Sequence, residues 1–348
     1  MAKYESVVQI LEERIEHGDY LIKEFPTERK LADEVGISHM TARKVAQILI
    51  ERGLLQRKQN GRLEVTASTS DSKAQIAFVS PAFTCMVYYR WMSDIISAAE
   101  FYNVQVRPFE YIHYNDAVLP QILSSVDGVF FISSAESVSP TLLNFLQDTK
   151  CMIVSLENDL TDYGIPSIIS RPLEIVDQLL EHLQSQGHQR ILAFNSQPID
   201  DIISDRLNRI VRVGERMGLD VEVLNDPVKP FGDSLAHVVQ VLPGILDVGQ
   251  LNATAIITAT EDAAIGACRV LRDYGLQIPE DISVCSVANE GHSKYVSPSI
   301  TTAQNVDAKL FVSRSIKNMI QKQWEGGLLM APANTRLFKG ESTGRAKV

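Results

Sequence analysis

Residues 25–55, FPTERKLADEVGISHMTARKVAQILIERGLL, contain two short helical patterns separated by a turn at Gly36. Pro26 suits the first turn of the first helix, and the acidic residue that follows favours its N-terminal dipole. Ser38 is a good N-cap for the second helix, which Gly53 ends. Apolar residues recur at helical spacing along both segments. Two helices joined by a short turn that contains Gly are typical of the helix-turn-helix, whose second helix enters the major groove of DNA.

Two flanking segments complete this N-terminal unit. Residues 3–17 have the pattern of an amphipathic helix, which we expect to pack beneath the other two. Residues 54–65 contain two short alternating runs around Asn60-Gly61, and Asn-Gly is the strongest short-range signal for a β-hairpin. We therefore predict a β-wing beside the second helix of the motif. The predicted wing carries three basic side chains: Arg57, Lys58 and Arg62.

The distribution of charge distinguishes this unit from the rest of the chain. The net charge is −10, but residues 1–66 contain 11 Lys+Arg and 11 Asp+Glu, so the remainder carries the whole excess. Residues 38–62 contain six bases and one acid, which gives this segment a local charge of +5. Contact with phosphate depends on where positive charge lies, so this segment suits a DNA backbone although the whole chain is acidic.

Residues 4–65 resemble the winged helix-turn-helix of the GntR family of bacterial transcription regulators. The resemblance rests on the motifs Pro-Thr-Glu-Arg, Leu-Ala and Gly-Ile-Ser and on the apolar third helix. It implies that the second helix, the start of the third and the wing contact DNA. With the local positive charge, it gives these predicted DNA contacts: Arg29, Ser38, His39, Met40, Thr41, Arg43, Lys44, Arg57, Asn60, Gly61 and Arg62. The sequence departs from the family's pattern at His39, Met40 and Leu63, so no base preference is implied.

Composition places the chain among soluble globular proteins of more than one domain. Its 348 residues are 45% hydrophobic and 22% charged, which is ordinary for that class. No apolar run of about 18 residues occurs, and the N-terminus lacks the apolar core and cleavage site of a signal peptide. The four cysteines lie far apart without metal-ligand spacing. We therefore expect a cytoplasmic protein with reduced thiols that contacts no membrane and holds no metal or cofactor.

After a short polar linker, residues 67–73, the pattern changes to alternating strands and helices. Apolar runs of strand length are followed by amphipathic helical segments, which predicts an α/β fold of parallel sheets covered on both faces. The predicted strands are 74–79, 104–109, 128–132, 151–155, 190–194, 221–224, 255–258 and 282–287. So many strands favour two doubly wound subdomains. Ligands of such sheets bind outside the carboxyl ends of the strands, here in the cleft between subdomains.

Residues 74–345 resemble the effector domain of the LacI family, which is similar to periplasmic sugar-binding proteins. The motifs that carry the resemblance are SQGHQRILAF (185–194), ATEDAAIGACRVLRDYGLQIPEDISV (259–284), SPSITTAQ (297–304) and ESTGR (341–345). The resemblance implies an effector-binding and dimerisation domain over residues 74–348, joined to the DNA-binding domain of residues 1–66. We expect subdomain 1 at about residues 74–160 and 288–322, and subdomain 2 at about residues 161–287 and 323–348.

The same resemblance implies an effector site in the cleft. In the family, an Arg twelve residues before the Gly that ends its helix and an Asp that opens a later helix hold a sugar's hydroxyl groups. These positions are Arg206 and Asp262. Charged groups with fixed geometry suit polyols because buried polar groups must be paired. Aromatic side chains after the first strand can pack on a sugar ring, and each is also consistent with the core. The predicted set is Phe83, Tyr88, Tyr89, Trp91, Arg206, Asp262, Asn289 and Gln304.

The effector itself stays open among three alternatives. The sequence departs from the family's pattern at residues 169–171, at residues 287–290 and at Arg209. These departures are consistent with an unusual sugar, with a phosphorylated sugar bound by Arg171 and Arg209, or with a compound that is not a sugar.

These features predict a bacterial transcription regulator, with repression as the expected mode, that binds double-stranded operator DNA as a homodimer and is switched by a sugar-like small molecule. The alternative is a sugar-binding sensor without an operator role. A secreted solute-binding protein fits residues 74–345 but leaves the N-terminal domain unexplained. An enzyme is not expected, because the chain lacks the G-x-G-x-x-G, Walker A, H-E-x-x-H and G-x-S-x-G motifs.

Overall fold

The computed structural model describes residues 3–16, 19–20, 24–66, 74–82, 85–134, 138, 140–170, 173–230, 232–247, 249, 251–304, 307–323, 326–332 and 334–347. These residues form a small N-terminal domain and two six-stranded sheets with helices on their faces. Within these ranges, the helices are too short or too polar to cross a membrane.

The N-terminal domain is a three-helix unit with a two-stranded wing. Its elements are α1 (Lys3–Glu16), α2 (Glu28–Val35), α3 (His39–Glu51), β1 (Leu55–Arg57) and β2 (Leu63–Val65). The Thr27 and Ser38 side chains cap α2 and α3 by accepting hydrogen bonds from the backbone N–H groups of Lys30 and Thr41. Gly36 ends α2 with φ of 63°, in the left-handed region that Gly adopts at little cost. The antiparallel pairing of β1 with β2 forms the predicted wing.

The first sheet, sheet 1, has the strand order β13-β7-β6-β5-β3-β4, and its neighbouring strands are parallel. Its strands are β3 (Gln75–Pro81), β4 (Gln105–Tyr111), β5 (Gly128–Ile132), β6 (Met152–Leu156), β7 (Ser167–Ile168) and β13 (Leu329–Met330). Apolar clusters on its two faces pack against four helices, α4 (Met86–Phe101), α5 (Val118–Ser125), α6 (Pro140–Gln147) and α11 (Lys309–Gln321). Burial on both faces explains why the central strands β3, β5 and β6 are mostly apolar runs, whereas the edge strand β4 is partly exposed and carries charged residues.

The second sheet, sheet 2, has the strand order β14-β12-β11-β10-β8-β9. Its strands are β8 (Arg190–Asn195), β9 (Asp220–Asn225), β10 (Ala255–Thr258), β11 (Ser283–Ser286), β12 (Thr301–Ala303) and β14 (Leu337–Phe338). Four helices cover it, α7 (Ile175–Ser185), α8 (Asp201–Met217), α9 (Ser234–Asp247) and α10 (Glu261–Asp273). The two sheets form the doubly wound subdomains that the alternating pattern predicts.

The chain crosses between the sheets later than the sequence suggests. The expected crossovers follow residues 160, 287 and 322, but β7 belongs to sheet 1, β12 to sheet 2 and β13 to sheet 1. Subdomain 1 therefore extends to residue 168, and subdomain 2 to residue 303 before the chain returns. Strands of two or three residues are too short to show a hydrophobic period, so the sequence carries no signal for them.

The C-terminal segment of residues 341–347 is anchored to sheet 2. The Ser342 hydroxyl is buried; it donates to the Val284 carbonyl (2.5 Å) and accepts from the Thr301 N–H (3.0 Å). The backbone of Ser342 bonds to Ser299 and Val284. This segment is the ESTGR motif, so its small hydroxyl residues serve the packing of sheet 2.

Two histidines beside this segment make the stability of subdomain 2 depend on pH. His188 is buried, with Nδ1 at 2.9 Å from Thr254 Oγ1 and Nε2 at 3.1 Å from the Gly344 carbonyl. His182 Nε2 lies 2.9 Å from Thr343 Oγ1. Burial lowers the pKa of both imidazoles below the ordinary 6.5. The unfolded chain therefore takes up protons first as the pH falls, and the stabilisation present above pH 6.5 is lost as the pH falls through the folded pKa values.

We expect the melting temperature to be nearly constant at neutral to mildly alkaline pH and to fall as the pH drops below about 6.5. A pH series of thermal unfolding curves checks this. His182→Asn is expected to reduce the slope, whereas His113→Asn, at an exposed loop position, is expected to leave it unchanged. Equal slopes in the wild type and in His182→Asn would contradict this assignment.

Candidate functional site

The first turns of α3 present polar and basic side chains to solvent. Ala42, Val45 and Leu49 are buried in the domain core, which fixes the rotation of the helix. The opposite face exposes His39, Met40, Arg43 and Lys44, and Met40 is 72% exposed. In the described part of the chain, Arg43 has no ion pair. An outward-facing N-terminal turn is the part of a recognition helix that reaches base edges.

The other predicted DNA contacts on α2 and α3 differ in whether their side chains are exposed or already have a partner. Arg29 is exposed on α2, whereas the Thr41 hydroxyl is 2.8 Å from Ser38 Oγ and belongs to the cap of α3. Lys44 Nζ lies 3.7 Å from the ring centroid of Tyr4, which holds this base against α1. Arg29 is therefore available to a phosphate as placed, while Lys44 must first leave the Tyr4 ring.

The wing tip is built by Asn60 and Gly61. The Asn60 side-chain oxygen accepts from the Arg62 N–H (3.1 Å), and Gly61 has φ of 80°, which favours glycine. Arg57 Nη1 donates to the Gly61 carbonyl at 3.0 Å. The predicted contacts Asn60 and Gly61 thus shape the turn that carries the wing cations.

Acidic side chains pair with the bases of the wing. Arg57 Nη2 lies 2.7 Å from Glu28, Arg62 lies 3.0 Å from Glu24, and Lys58 lies 2.6 Å from Glu64. His39 Nε2 is also 3.9 Å from Glu28. The local charge of +5 therefore does not act as free positive charge. The partners of Arg57 and Arg62 lie 29 and 38 residues away in the sequence, so only the folded domain brings them together.

The cleft side of sheet 2 is formed by the starts of α8 and α10. Arg206 on α8 is buried and donates to the Ala259 carbonyl (3.0 Å) after β10. Asp200 caps α8 by accepting from the Ile203 N–H (2.7 Å). Burial raises the pKa of Asp200, and the nearby Arg206 charge opposes this shift. Asp200 was not among the predicted effector contacts. Its position directly before a helix is a recognisable N-cap signal in the sequence.

Two neighbouring carboxyl groups open α10 and have different surroundings. Glu261 is fully buried and accepts from the backbone N–H groups of Glu290 (3.0 Å) and His292 (3.1 Å) and from the Ser293 hydroxyl. It therefore holds the loop that follows β11. Asp262 is partly exposed, and burial raises its pKa; the charges of Glu261 and Asp233 raise it further, while His292 opposes them.

Two side chains of α4, Tyr88 and Arg90, have surroundings that bear on the cleft, and Arg90 connects the subdomains. Arg90 Nη1 donates to the Asn289 carbonyl of sheet 2 at 3.0 Å. Burial raises the pKa of Tyr88, as do the nearby negative charges of Asp200 and Glu290. Tyr88 also packs against the core of subdomain 1. The structure thus adds Arg90 as a contact between the subdomains, while a shared ligand site of Tyr88, Arg206 and Asp262 stays a prediction.

Other predicted effector contacts lie elsewhere or serve the fold. Trp91 is 3% exposed in the core of subdomain 1, and its indole N–H donates to Glu157 (3.1 Å), because the inward face of α4 packs on sheet 1. Tyr89 is 61% exposed on the outer face of α4. The Asn289 side chain donates to the Ala303 carbonyl (2.7 Å) and accepts from the Gly291 N–H (2.9 Å), which commits it to its own loop.

No described contact joins the remaining candidate effector residues to the cleft. Gln304 is exposed at the crossover, with its backbone N–H bonded to the Arg336 carbonyl (2.7 Å). Arg209 forms two bonds to Asp177 (2.7 and 3.1 Å), so it is already paired with an acid. Phe83 and Arg171 lie outside the described residues.

Comparisons with known proteins match two separate parts of the chain. The family model for bacterial regulatory proteins of the gntR family matches residues 3–65. The model for a periplasmic binding protein-like domain matches residues 180–326. Both matches agree with the resemblances seen in the sequence.

Individual proteins match at low identity. The "Probable HTH-type transcriptional repressor ExuR" of Bacillus subtilis is 23% identical over 214 residues, 62% of this chain and 62% of that protein. The "HTH-type transcriptional regulator GalR" of Escherichia coli is 31% identical over 124 residues, 35% of each chain. The chain thus spans less than two thirds of the length of these curated relatives.

Solved structures show the same fold over most of the chain. A dimeric lac repressor with a C-terminal deletion has a TM-score of 0.67 at 21% identity, and the match covers 78% of this chain and 100% of that one. A LacI family regulator from Enterococcus faecium with bound ribose has a TM-score of 0.65 at 19% identity, with 78% and 100% covered. The chain therefore joins a segment that matches the gntR-family model to a segment that matches the periplasmic binding protein-like model, and most of the chain shares the fold of the lac repressor structure.

Proposed function

We propose that this protein is a cytoplasmic transcription regulator, acting as a repressor, that binds operator DNA as a dimer and is switched by a sugar-like effector. The observation that carries the proposal is the exposed start of α3, with the exposed Arg43, in one chain with two doubly wound subdomains. The relative ExuR is described as a probable repressor, and one similar structure contains ribose. These names support a regulator with a sugar-like effector.

The proposed effector site consists of Tyr88 from subdomain 1 and Arg206 and Asp262 from subdomain 2. Its charged groups offer hydrogen bonds to hydroxyl groups, and the Tyr88 ring offers an apolar face. We propose binding rather than catalysis at this site.

The proposed dimer contact lies on the outer face of subdomain 1. Tyr89 and Phe101 are 61% and 85% exposed on α4, and Leu310 is 81% exposed on α11. These two helices pack against each other, so their exposed apolar side chains lie on adjacent elements. Exposed apolar groups that adjoin in this way mark protein contacts.

The proposed switch is closure of the cleft around the effector. Arg90 and the loop at Asn289 bond across it, so a ligand that favours one separation of the subdomains changes the position of α4 in each protomer. Two helix-turn-helix units bind adjacent half-sites only at one spacing. An effector with different affinities for the two states shifts DNA binding by that difference.

A gel-shift experiment with promoter fragments from neighbouring genes tests this function. We expect a complex of one dimer with one fragment, and an affinity that falls steeply with salt because bound phosphates release counterions. A sugar that raises the melting temperature is expected to change this affinity. If no fragment is shifted even at low salt, the regulator proposal fails; sugar binding without any DNA complex would instead support a sensor role.

A further inference from the structure

One carboxylate joins the N-terminal domain to the edge of sheet 1. Asp19, in the turn after α1, lies 2.8 Å from Arg107 Nη1 through one oxygen and 3.1 Å from Arg14 Nε through the other. Arg107 belongs to the edge strand β4, and Arg14 belongs to α1. The hydrogen bond from Arg107 lowers the pKa of Asp19 below its ordinary 3.8, so this carboxylate is charged at neutral pH. Asp19 therefore binds one arginine from each domain.

This polar contact gains weight because the described apolar cores of the two domains are separate. The core of the N-terminal domain is built from residues between Tyr4 and Val65, whereas the clusters on the two faces of sheet 1 are built from residues 76 onwards. Domains without a large apolar interface move relative to each other by default. Among the described residues, the contact of Arg107 with Asp19 is therefore well placed to set their orientation.

Within the N-terminal domain, Asp19 is linked to α3 through α1. The Asp19 backbone N–H donates to the Arg14 carbonyl at 2.9 Å, which ties the turn to the last part of α1. Apolar side chains of α1 and α3 share one buried cluster, and Arg52 of α3 pairs with Glu12 of α1 at 2.5 Å. A rotation of Asp19 relative to sheet 1 therefore also rotates α3.

Within subdomain 1, β4 is linked to the cleft through α4. Val106 of β4 and Ile95 of α4 pack in the same apolar cluster. The helix α4 also carries Arg90, whose bond of 3.0 Å to the Asn289 carbonyl crosses between the subdomains. Subdomain 1 thus connects the cleft to the interdomain contact at Arg107.

We propose that Arg107 is a positioning residue for DNA binding. By binding Asp19, it fixes the orientation of the DNA-binding domain on subdomain 1 and so sets the spacing of the two α3 helices in the dimer. A movement of α4 at the cleft then reaches α3 through β4 and this ion pair. The inference rests on the proposed function, because the spacing of the two helices has a role only for a dimer on DNA.

The orientation of the domain is tested without DNA. Spin labels at Asp33→Cys on α2 and at Ile112→Cys after β4 occupy exposed positions, and Cys85→Ser removes a cysteine that is only partly buried. Labelled chains are mixed with an excess of unlabelled protein, so that the distance is measured within one chain. We expect a narrow distance distribution in the otherwise unchanged protein and a broader one when Arg107→Gln is added.

Two further variants make this measurement specific. Asp19→Ala and the double variant are expected to broaden the distribution as much as Arg107→Gln does, because the two side chains act through each other. Lys150→Gln removes the same charge from an exposed site of subdomain 1 and is expected to keep the distribution narrow. An unchanged distribution in Arg107→Gln overturns the proposal, and so does equal broadening in Lys150→Gln.

Operator binding provides the second measurement. With the promoter fragment found in the gel shift, Arg107→Gln is expected to bind about tenfold more weakly than the wild type, since the dimer loses two partly exposed ion pairs. It is also expected to lose less affinity than the wild type when one base pair is inserted between the half-sites. An unchanged or raised affinity in Arg107→Gln overturns the proposal. If no fragment is shifted, the proposed function fails, while the distance distribution still decides whether Arg107 orients the domain.

Discussion

Replacing Arg43 by alanine is expected to weaken operator binding by about 100-fold while changing the melting temperature by less than about 1 °C. The side chain is exposed on the outer face of α3. One Arg at a base or phosphate contributes about 1–3 kcal/mol, and the proposed dimer uses two copies. A loss of about 2.7 kcal/mol corresponds to 100-fold. Fluorescence anisotropy with a labelled operator measures the loss directly.

The control for this variant is Arg52→Ala on the same helix. Arg52 lies at the C-terminal end of α3 and pairs with Glu12 of α1 at 2.5 Å. It has the same charge as Arg43 but lies away from the N-terminal turns, so we expect less than about a threefold loss of DNA affinity, mostly from the change in net charge. Equal losses in both variants would show that DNA affinity depends only on the net charge of the protein and not on the position of the charge along α3.

Replacing Glu261 by alanine is expected to lower the free energy of unfolding by about 3–5 kcal/mol. The carboxyl is fully buried, and its removal leaves the N–H groups of Glu290 and His292 without their acceptor. This loss corresponds to a fall in melting temperature of roughly 6–15 °C. Calorimetry measures it, and effector binding is expected to weaken as well because the loop after β11 is no longer held.

An exposed acid on the same helix provides the control for Glu261. Asp273 pairs with Arg269 on the surface of α10 at 2.8 Å, with both side chains more than half exposed. Exposed pairs of this kind contribute less than about 1 kcal/mol. Asp273→Ala is therefore expected to shift the melting temperature by no more than about 2 °C. A similarly small effect of Glu261→Ala would mean that the loop after β11 does not depend on this carboxyl.

Local signals in the sequence predicted most of the fold. Ser38 caps α3 and Gly36 ends α2, because side-chain capping and a left-handed turn need only neighbouring residues. The long apolar strands were predicted to within one or two residues, since burial on both faces leaves a continuous apolar run. The short strands β7, β12, β13 and β14 were missed, because they pair only once the sheets exist.

The site was predicted less completely than the fold. Arg206 and Asp262 came from a resemblance; the structure places Arg206 against the carbonyl that follows β10 and Asp262 in the first turn of α10, and their binding of an effector stays a prediction. Trp91 and Tyr89 are two residues apart on one helix, so they point in different directions, one into the core and the other to solvent. The aromatic cluster in the sequence did not reveal which side chain faces which way, because that depends on how α4 packs on sheet 1.

By itself, the sequence determined that this chain has a helix-turn-helix with a wing and two doubly wound subdomains; the predicted linker, residues 67–73, lies outside the described residues. These features follow from caps, turns and hydrophobic periods, which act over a few residues. Only the tertiary structure decided that Glu28 pairs with Arg57, that Arg209 is engaged by Asp177, and that Glu261 accepts from the backbone of the loop after β11. The reason is physical: hydrogen bonds and charges depend on distances in space, and those distances join residues that are far apart in the chain.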